Sequence, residues 1–287
     1  MALAWLAWVL AATVIWGLGT LAAKPGTGRL GPIRMGLGTT LVEGTTFGLV
    51  GLALERGPLP ADPVFATAAV SAGALGAVGY VFFFEGMRVG SVGLVGTISA
   101  AAPTLTVVLS VVFLSEALGL LQILGIVLVM FCILVLAYEP KRRHASRRTA
   151  VLLSLAGFFV WGLWGILVKT SVDALGEGNL DLLLAAGYLG VTAGYGVLRR
   201  GARAATDPPT RQSWSLGLFV FLAGGLSAVA LTVAYDLGPA ALVSPLSGTY
   251  PLIATLGAAA LLKEKLDWRI AAALVAFGLG IVLLSGA

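Results

Sequence analysis

Charge is what this chain has least of. Only 11% of its 287 residues are charged, 18 basic and 13 acidic, where a soluble domain carries about 25%. So few charged side chains cannot cover a soluble surface of this size, which excludes a soluble enzyme, a disordered chain and a collagen-like fibre. Cysteine occurs once, as Cys132 within an apolar run, which excludes an internal disulfide and a thiolate metal site. Histidine also occurs once, as His144 in a basic stretch. A histidine-based triad or zinc site therefore has no material, and neither a metal nor a cofactor is expected.

What is present is apolar: 59% of the residues, with a mean hydropathy of +1.00. A span needs about 20 residues and a short loop roughly 8 more, so the length accommodates about ten spans. Ten apolar runs are visible, at 3–23, 32–54, 64–87, 92–115, 118–138, 150–171, 180–198, 214–237, 239–262 and 268–285. Backbone in lipid must satisfy its own hydrogen bonds, so these runs are expected to be helices. The first is read as a retained span and not a cleaved signal, because no basic residue precedes it and Lys24 follows it. Pro103 and Pro251 fall in mid-span, where a missing N–H is expected to kink a helix.

Sixteen of the 18 basic residues fall in odd-numbered loops; Arg56 and Lys169 alone fall in even ones. The positive-inside rule then places the odd loops in the cytoplasm and both termini outside. The net charge of +5 is accounted for in this way, with no nucleic-acid partner. The cluster Lys141–Arg148 reads as a topology determinant that also meets anionic lipid.

The chain repeats itself. Trp16-Gly17 lies eight residues before Lys24, and Trp161-Gly162 lies eight before Lys169, an offset of 145. Pro103 lies thirteen residues before Glu116, and Pro251 thirteen before Glu264, an offset of 148. At that second offset Gly90, Leu94, Val95 and Ser99 match Gly238, Leu242, Val243 and Ser247. Trp, Lys, Pro and Glu are scarce here, so matches in register carry weight. The units read as 1–138 and 150–287, joined by a basic cytoplasmic linker, 139–149. Five spans per unit force the second to enter the membrane from the opposite side. The expected fold is thus all-α, ten transmembrane helices as two five-helix inverted-topology repeats, an architecture of secondary transporters.

Ten spans, a Trp-Gly early in each half, and a mid-helix proline followed by glutamate resemble the drug/metabolite transporter superfamily in its EamA-type branch. Gly90–Glu116 is similar to that family's fourth helix and Gly238–Glu264 to the counterpart in the second half. The resemblance implies a secondary transporter of a small organic metabolite, such as an amino acid or a similar neutral or zwitterionic solute, acting as an exporter by alternating access. It does not extend to the small proton-coupled multidrug members, because neither the first nor the sixth span holds a carboxylate.

The candidate binding residues are Trp16, Glu43, Tyr80, Thr97, Ser99, Trp161, Trp164, Ser247 and Tyr250. Trp16, Trp161 and Trp164 lie well inside their spans, where an aromatic wall can stack on planar groups or cations. Interfacial tryptophans sit at span ends, the place of Trp5, Trp8, Trp214 and Trp268. Glu43 reads as the one carboxylate deep in a run. It is either a proton or substrate-amine site, or a glutamate held protonated or bonded to the hydroxyls of Thr39, Thr40, Thr45 or Thr46. Tyr80 is a candidate liner, and of Phe82, Phe83 and Phe84 at most one can face a cavity. Thr97, Ser99, Ser247, Thr249 and Tyr250 precede the two prolines and can serve a ligand or cap the kinks. Glu116 and Glu264 read as surface ion-pairing residues, Asp236 as interfacial, and the Gly-xxx-Gly spacings 44/48, 86/90 and 190/194 as helix packing.

The expected partners are the bilayer and a small-molecule substrate, with proton coupling left open, and a monomer is expected. The expected location is the inner or plasma membrane. No loop of the Gly-x-x-x-x-Gly-Lys-Ser/Thr kind is present, so this chain does not use ATP for transport. An enzyme is not expected, because the Gly-x-Gly-Asp partner of Tyr235-Asp236 and an in-span histidine are both missing. The alternative is a flippase for a lipid or lipid-linked substrate, which requires a cavity open sideways to the bilayer.

Overall fold

The computed structural model describes residues 4–55, 62–90, 92–137, 147–200, 209–262 and 268–285, and all regular structure among them is helical. In chain order the helices are α1 (Ala4–Leu30), α2 (Pro32–Leu54), α3 (Pro63–Val89), α4 (Val92–Ala100), α5 (Ala102–Phe113) and α6 (Leu120–Ala137). They continue with α7 (Arg147–Leu175), α8 (Glu177–Leu198), α9 (Arg211–Leu237), α10 (Ala240–Ser247), α11 (Tyr250–Leu262) and α12 (Trp268–Ser285). Six of them, α1, α2, α3, α7, α8 and α9, are long and apolar enough to cross a membrane. Shorter apolar helical segments lie at Ile98–Phe113, which runs across the α4–α5 junction, Leu120–Val135 and Ala271–Leu284.

The two expected kinks are breaks. The fourth run divides into α4 and α5 at Ala101, and the ninth into α10 and α11 at Gly248–Thr249. Pro103 and Pro251 each fall in the first turn of the new helix. A first-turn N–H has no intrahelical acceptor in any case, so proline fits there without losing a bond. The turn bonds Ala101 N to Ile98 O at 3.3 Å and Leu252 N to Thr249 O at 2.8 Å close the two breaks. α1 also departs from expectation. It continues past Lys24 and through Pro25 to Leu30, whose buried side chain sits over Gly217 of α9.

The helices pair mainly as α1 on α9, α3 on α7, α2 on α8, α6 on α12 and α3 on α8, with α5 on α10 a smaller contact. Small residues allow close approach without bulky side chains between backbones. A Cβ on Gly73 would strike the Leu184 backbone, and one on Gly187 the Val70 carbonyl, so α3 and α8 cross at backbone contact. Gly44 and Gly48 pack on Tyr188, Leu189 and Ala185, and Gly86 and Gly90 on Val95 and Ala150. Gly190 and Gly194 have nothing within 4 Å, so the packing expected of that spacing is not found. α3 and α8 are further tied at one end by Glu85. It accepts from Arg88 at 2.9 Å, from Arg199 and from Tyr195 at 3.2 Å.

Trp8, Trp214 and Trp268 are exposed, as belt residues are, but Trp5 is buried against Gly238. Outside the described residues lie Lys141–His144 of the basic cluster, Glu264 with Lys263 and Lys265, and the side chains of Lys24 and Thr97.

Candidate functional site

The two breaks meet across a central cavity. About 760 Å³ of space lies between its walls, open solvent at the mouth included. From α1 come Trp16 and Thr20, from α2 Glu43, and from α3 Tyr80 and Phe83. The first break supplies Ser99, Pro103 and Thr106; the second supplies Ser247, Gly248 and Tyr250. Trp161 and Trp164 of α7, Tyr188 of α8, and Leu231 and Tyr235 of α9 complete the wall. Of the nine binding candidates, eight lie on this surface; the ninth is Thr97, whose side chain is not described. Pro251 is next to Tyr250 but not on the wall.

The lining is two-fold matched. Trp16 and Trp161 face it at an offset of 145, and the same offset carries Glu43 onto Tyr188. At an offset of 148, Phe83 maps to Leu231, Ser99 to Ser247 and Ala102 to Tyr250. Corresponding positions therefore line both sides, while the residue types differ. One half contributes the carboxylate where the other contributes a phenol.

Aromatic rings build most of the wall. Trp16 stacks on Tyr250 with centroids 5.4 Å apart and planes at 21°. Trp161 meets Tyr80 edge-on at 5.4 Å and Phe83 at 5.7 Å. Its indole lies over Gly79, where a Cβ would overlap it, and its Nε1 donates to the Gly76 carbonyl at 3.3 Å. Trp164 meets Tyr235 edge-on at 6.0 Å, and Tyr235 shares a 2.8 Å hydrogen bond with Ser244.

Glu43 is 2% exposed, and the phenols of Tyr80 and Tyr188 face its carboxyl. The nearby threonines do not hold it. Thr40, Thr45 and Thr46 bond carbonyls of their own helix, at Gly36, Leu41 and Val42. Four buried polar atoms on the wall have no partner: Glu43 Oε2, Tyr80 Oη, Ser99 Oγ and Trp164 Nε1. Each unmet group costs about 1–3 kcal/mol, which a polar solute in the cavity would offset. Ser247 and Thr249 are already used, donating to Ser244 O at 2.8 Å and Leu246 O at 2.6 Å. They cap the break, whereas Ser99 does not.

Two sequence readings need correction here. Glu43 is not the one deep carboxylate. Asp181 is fully buried with both carboxylate oxygens unpartnered, and Glu177 beside it accepts from Thr232 at 2.6 Å. Both stand at the edge of an apolar run, where position along the chain suggests an end and not an interior. Glu116 is not a surface ion-pair residue: its two carboxylate oxygens accept from Ala240 N and Ala241 N, each at 2.8 Å. Tyr188, Tyr235, Thr20 and Thr106 went unselected. Tyr188 was reachable by carrying Glu43 forward along the repeat; the other three carried no sequence signal.

The family model described as EamA-like transporter family matches residues 3–138 and again 148–286. Among solved structures, one crystal structure of a protein matches with a TM-score of 0.76 at 18% identity, covering 96% of this chain and 94% of the other. At that identity the likeness concerns the fold. No curated protein matches the chain.

Proposed function

The chain belongs to the EamA-like transporter family, a family of multi-pass membrane transporters of small solutes, and from that premise we propose how this member works. It is a secondary transporter of a small neutral or zwitterionic metabolite, such as an amino acid, bound in the central cavity. Ten spans form two inverted halves, 1–138 and 150–287, joined by the linker 139–149. Both termini lie outside and the basic loops lie in the cytoplasm of a cell whose inner or plasma membrane houses the protein. Access alternates as the halves rock, and the direction is export.

One observation carries this reading: the cavity lies between two broken helices, and repeat-matched residues of both halves line it. Broken helices at mid-depth expose backbone and side-chain polar groups only where a cavity receives them. The assignment of roles follows from chemistry. Trp16 with Tyr250 and Trp161 with Tyr80 sandwich the apolar or planar part of the solute. Glu43 takes an amine or a proton, and Ser99, Tyr80 and Trp164 take its polar atoms. The helical pairing α1 on α9 and α3 on α7 is the same contact under the repeat, which supports the inverted halves.

Purified protein in liposomes is expected to move such a solute, and Trp161→Ala to impair it. Unchanged kinetics in Trp161→Ala across amino acids, sugars and nucleosides would overturn the binding role. Movement of fluorescent lipid between leaflets, without solute transport, would favour the flippase alternative.

A further inference from the structure

Helix α5 ends in a left-handed residue, as many helices do, but that residue is not the usual glycine. Its C-cap is Leu114, and the next residue, Ser115, has φ 54°, in the left-handed region that a side chain other than glycine's enters at a cost of about 1–2 kcal/mol. Such a conformation persists when something downstream holds it. Downstream is Glu116, which spans the gap to α10 and receives two consecutive backbone N–H groups in that helix's first turn. These N–H groups have no acceptor within their own helix. A carboxylate there makes two charge-assisted bonds and meets the positive end of the helix dipole. The N-cap, Pro239, provides no side-chain cap of its own.

The bond joins a helix of one half to a helix of the other. Every residue of α10 is buried, and its last residue, Ser247, lies on the cavity wall. α10 packs closely on α5, while the corresponding contact under the repeat, α4 with α11, is slight. Thr106 of α5 and Ser247 of α10 line the cavity, and beyond them, at the Glu116 end, one carboxylate joins the two helices.

We propose that Glu116 is a latch: its carboxylate pins the N-terminus of α10 to the end of α5 and holds that end of the cavity shut, and transport requires its release. The proposal rests on the cavity being the transport route. On the proposed topology the latch is at the outer face. The left-handed Ser115 opposes it, so the closed state is held tightly enough to seal and loosely enough to open.

The test is thiol labelling in detergent without substrate, in a Cys132→Ser background. Val243→Cys reports from the interior of α10, where the native side chain is fully buried. Ala72→Cys reports from α3, also fully buried, and monitors general loosening. Glu116→Gln retains the shape but turns an amide N–H₂ toward one helix N–H. It is expected to speed labelling at position 243 at least tenfold and to leave position 72 unchanged. Glu116→Asp, charged but shorter, is expected to fall between. Ser115→Gly removes the opposing strain and is expected to slow labelling at 243, which tests the latch even if Glu116→Gln fails to fold. No change at 243, or equal acceleration at both positions, would overturn the latch. A liposome assay that finds no transported solute would defeat the proposed function and leave the labelling result standing.

Discussion

Replacing Gly79 with alanine disturbs the proposed binding wall without touching a wall side chain. The added methyl would occupy the place of the Trp161 indole, overlapping its Nε1, Cδ1 and Cε2 atoms. The indole must swing away and give up its bond to the Gly76 carbonyl, a loss of about 0.5–1.5 kcal/mol. It also gives up the edge-on contact with Tyr80, about 0.5–1.5 kcal/mol more. That sum of about 1–3 kcal/mol falls on the fold, whereas a ligand that stacks on the native indole loses its own aromatic contact of about 0.5–1.5 kcal/mol, so affinity falls about 2- to 13-fold. Alanine is favoured over glycine within a helix by about 1 kcal/mol, which offsets part of the cost to stability. Affinity is therefore expected to fall, with a melting temperature lowered by a net cost of about 0–2 kcal/mol. The assay is a ligand titration by thermal shift beside a transport measurement. Gly190→Ala, with nothing within 4 Å of the new methyl, is the control and is expected to leave affinity unchanged. Native affinity in Gly79→Ala would refute the role given to Trp161.

Glu43→Gln keeps the carboxyl shape and loses the charge; KM for an amine-bearing solute is expected to rise at least about tenfold, with a near-native melting temperature, because no ion pair is broken. If Glu43 carries a proton and not an amine, the same variant will retain solute binding and lose any response of transport to an imposed pH gradient. Glu85→Gln removes the partner of Arg88 and Arg199. Both arginines are partly exposed, so the expected loss is modest, about 1 kcal/mol, read as a lower melting temperature with binding unchanged. Ser244→Ala deprives Tyr235 of its 2.8 Å partner and is expected to cost about 1 kcal/mol of stability.

Much of the architecture was legible because apolar run length and repeated scarce residues are one-dimensional signals. Trp16 and Trp161, scarce and in register, point to the cavity whose wall they line. What local pattern could not resolve was three-dimensional pairing. Glu116 meets Ala240 and Ala241 from more than a hundred residues away, and its own neighbours suggest only a helix end. Asp181 is buried by α8's packing, although its sequence position suggests an edge. Pro103 and Pro251 showed that the helices were interrupted, but whether proline bends or restarts a helix depends on the turn before it, here Ala101 and Gly248–Thr249. The Tyr188 omission differs in kind, since the repeat offset already pointed from Glu43 to it.

The central claim is that one cavity, lined by matching residues of both halves, holds the solute. A thermal-shift screen of amino acids, sugars, nucleosides and lipids, repeated on Trp16→Ala and Trp161→Ala, tests it most directly. The account predicts that a solute stabilises the native protein and that each substitution, in a protein that still folds, removes most of that shift. A stabilising solute whose shift survives both substitutions would contradict it.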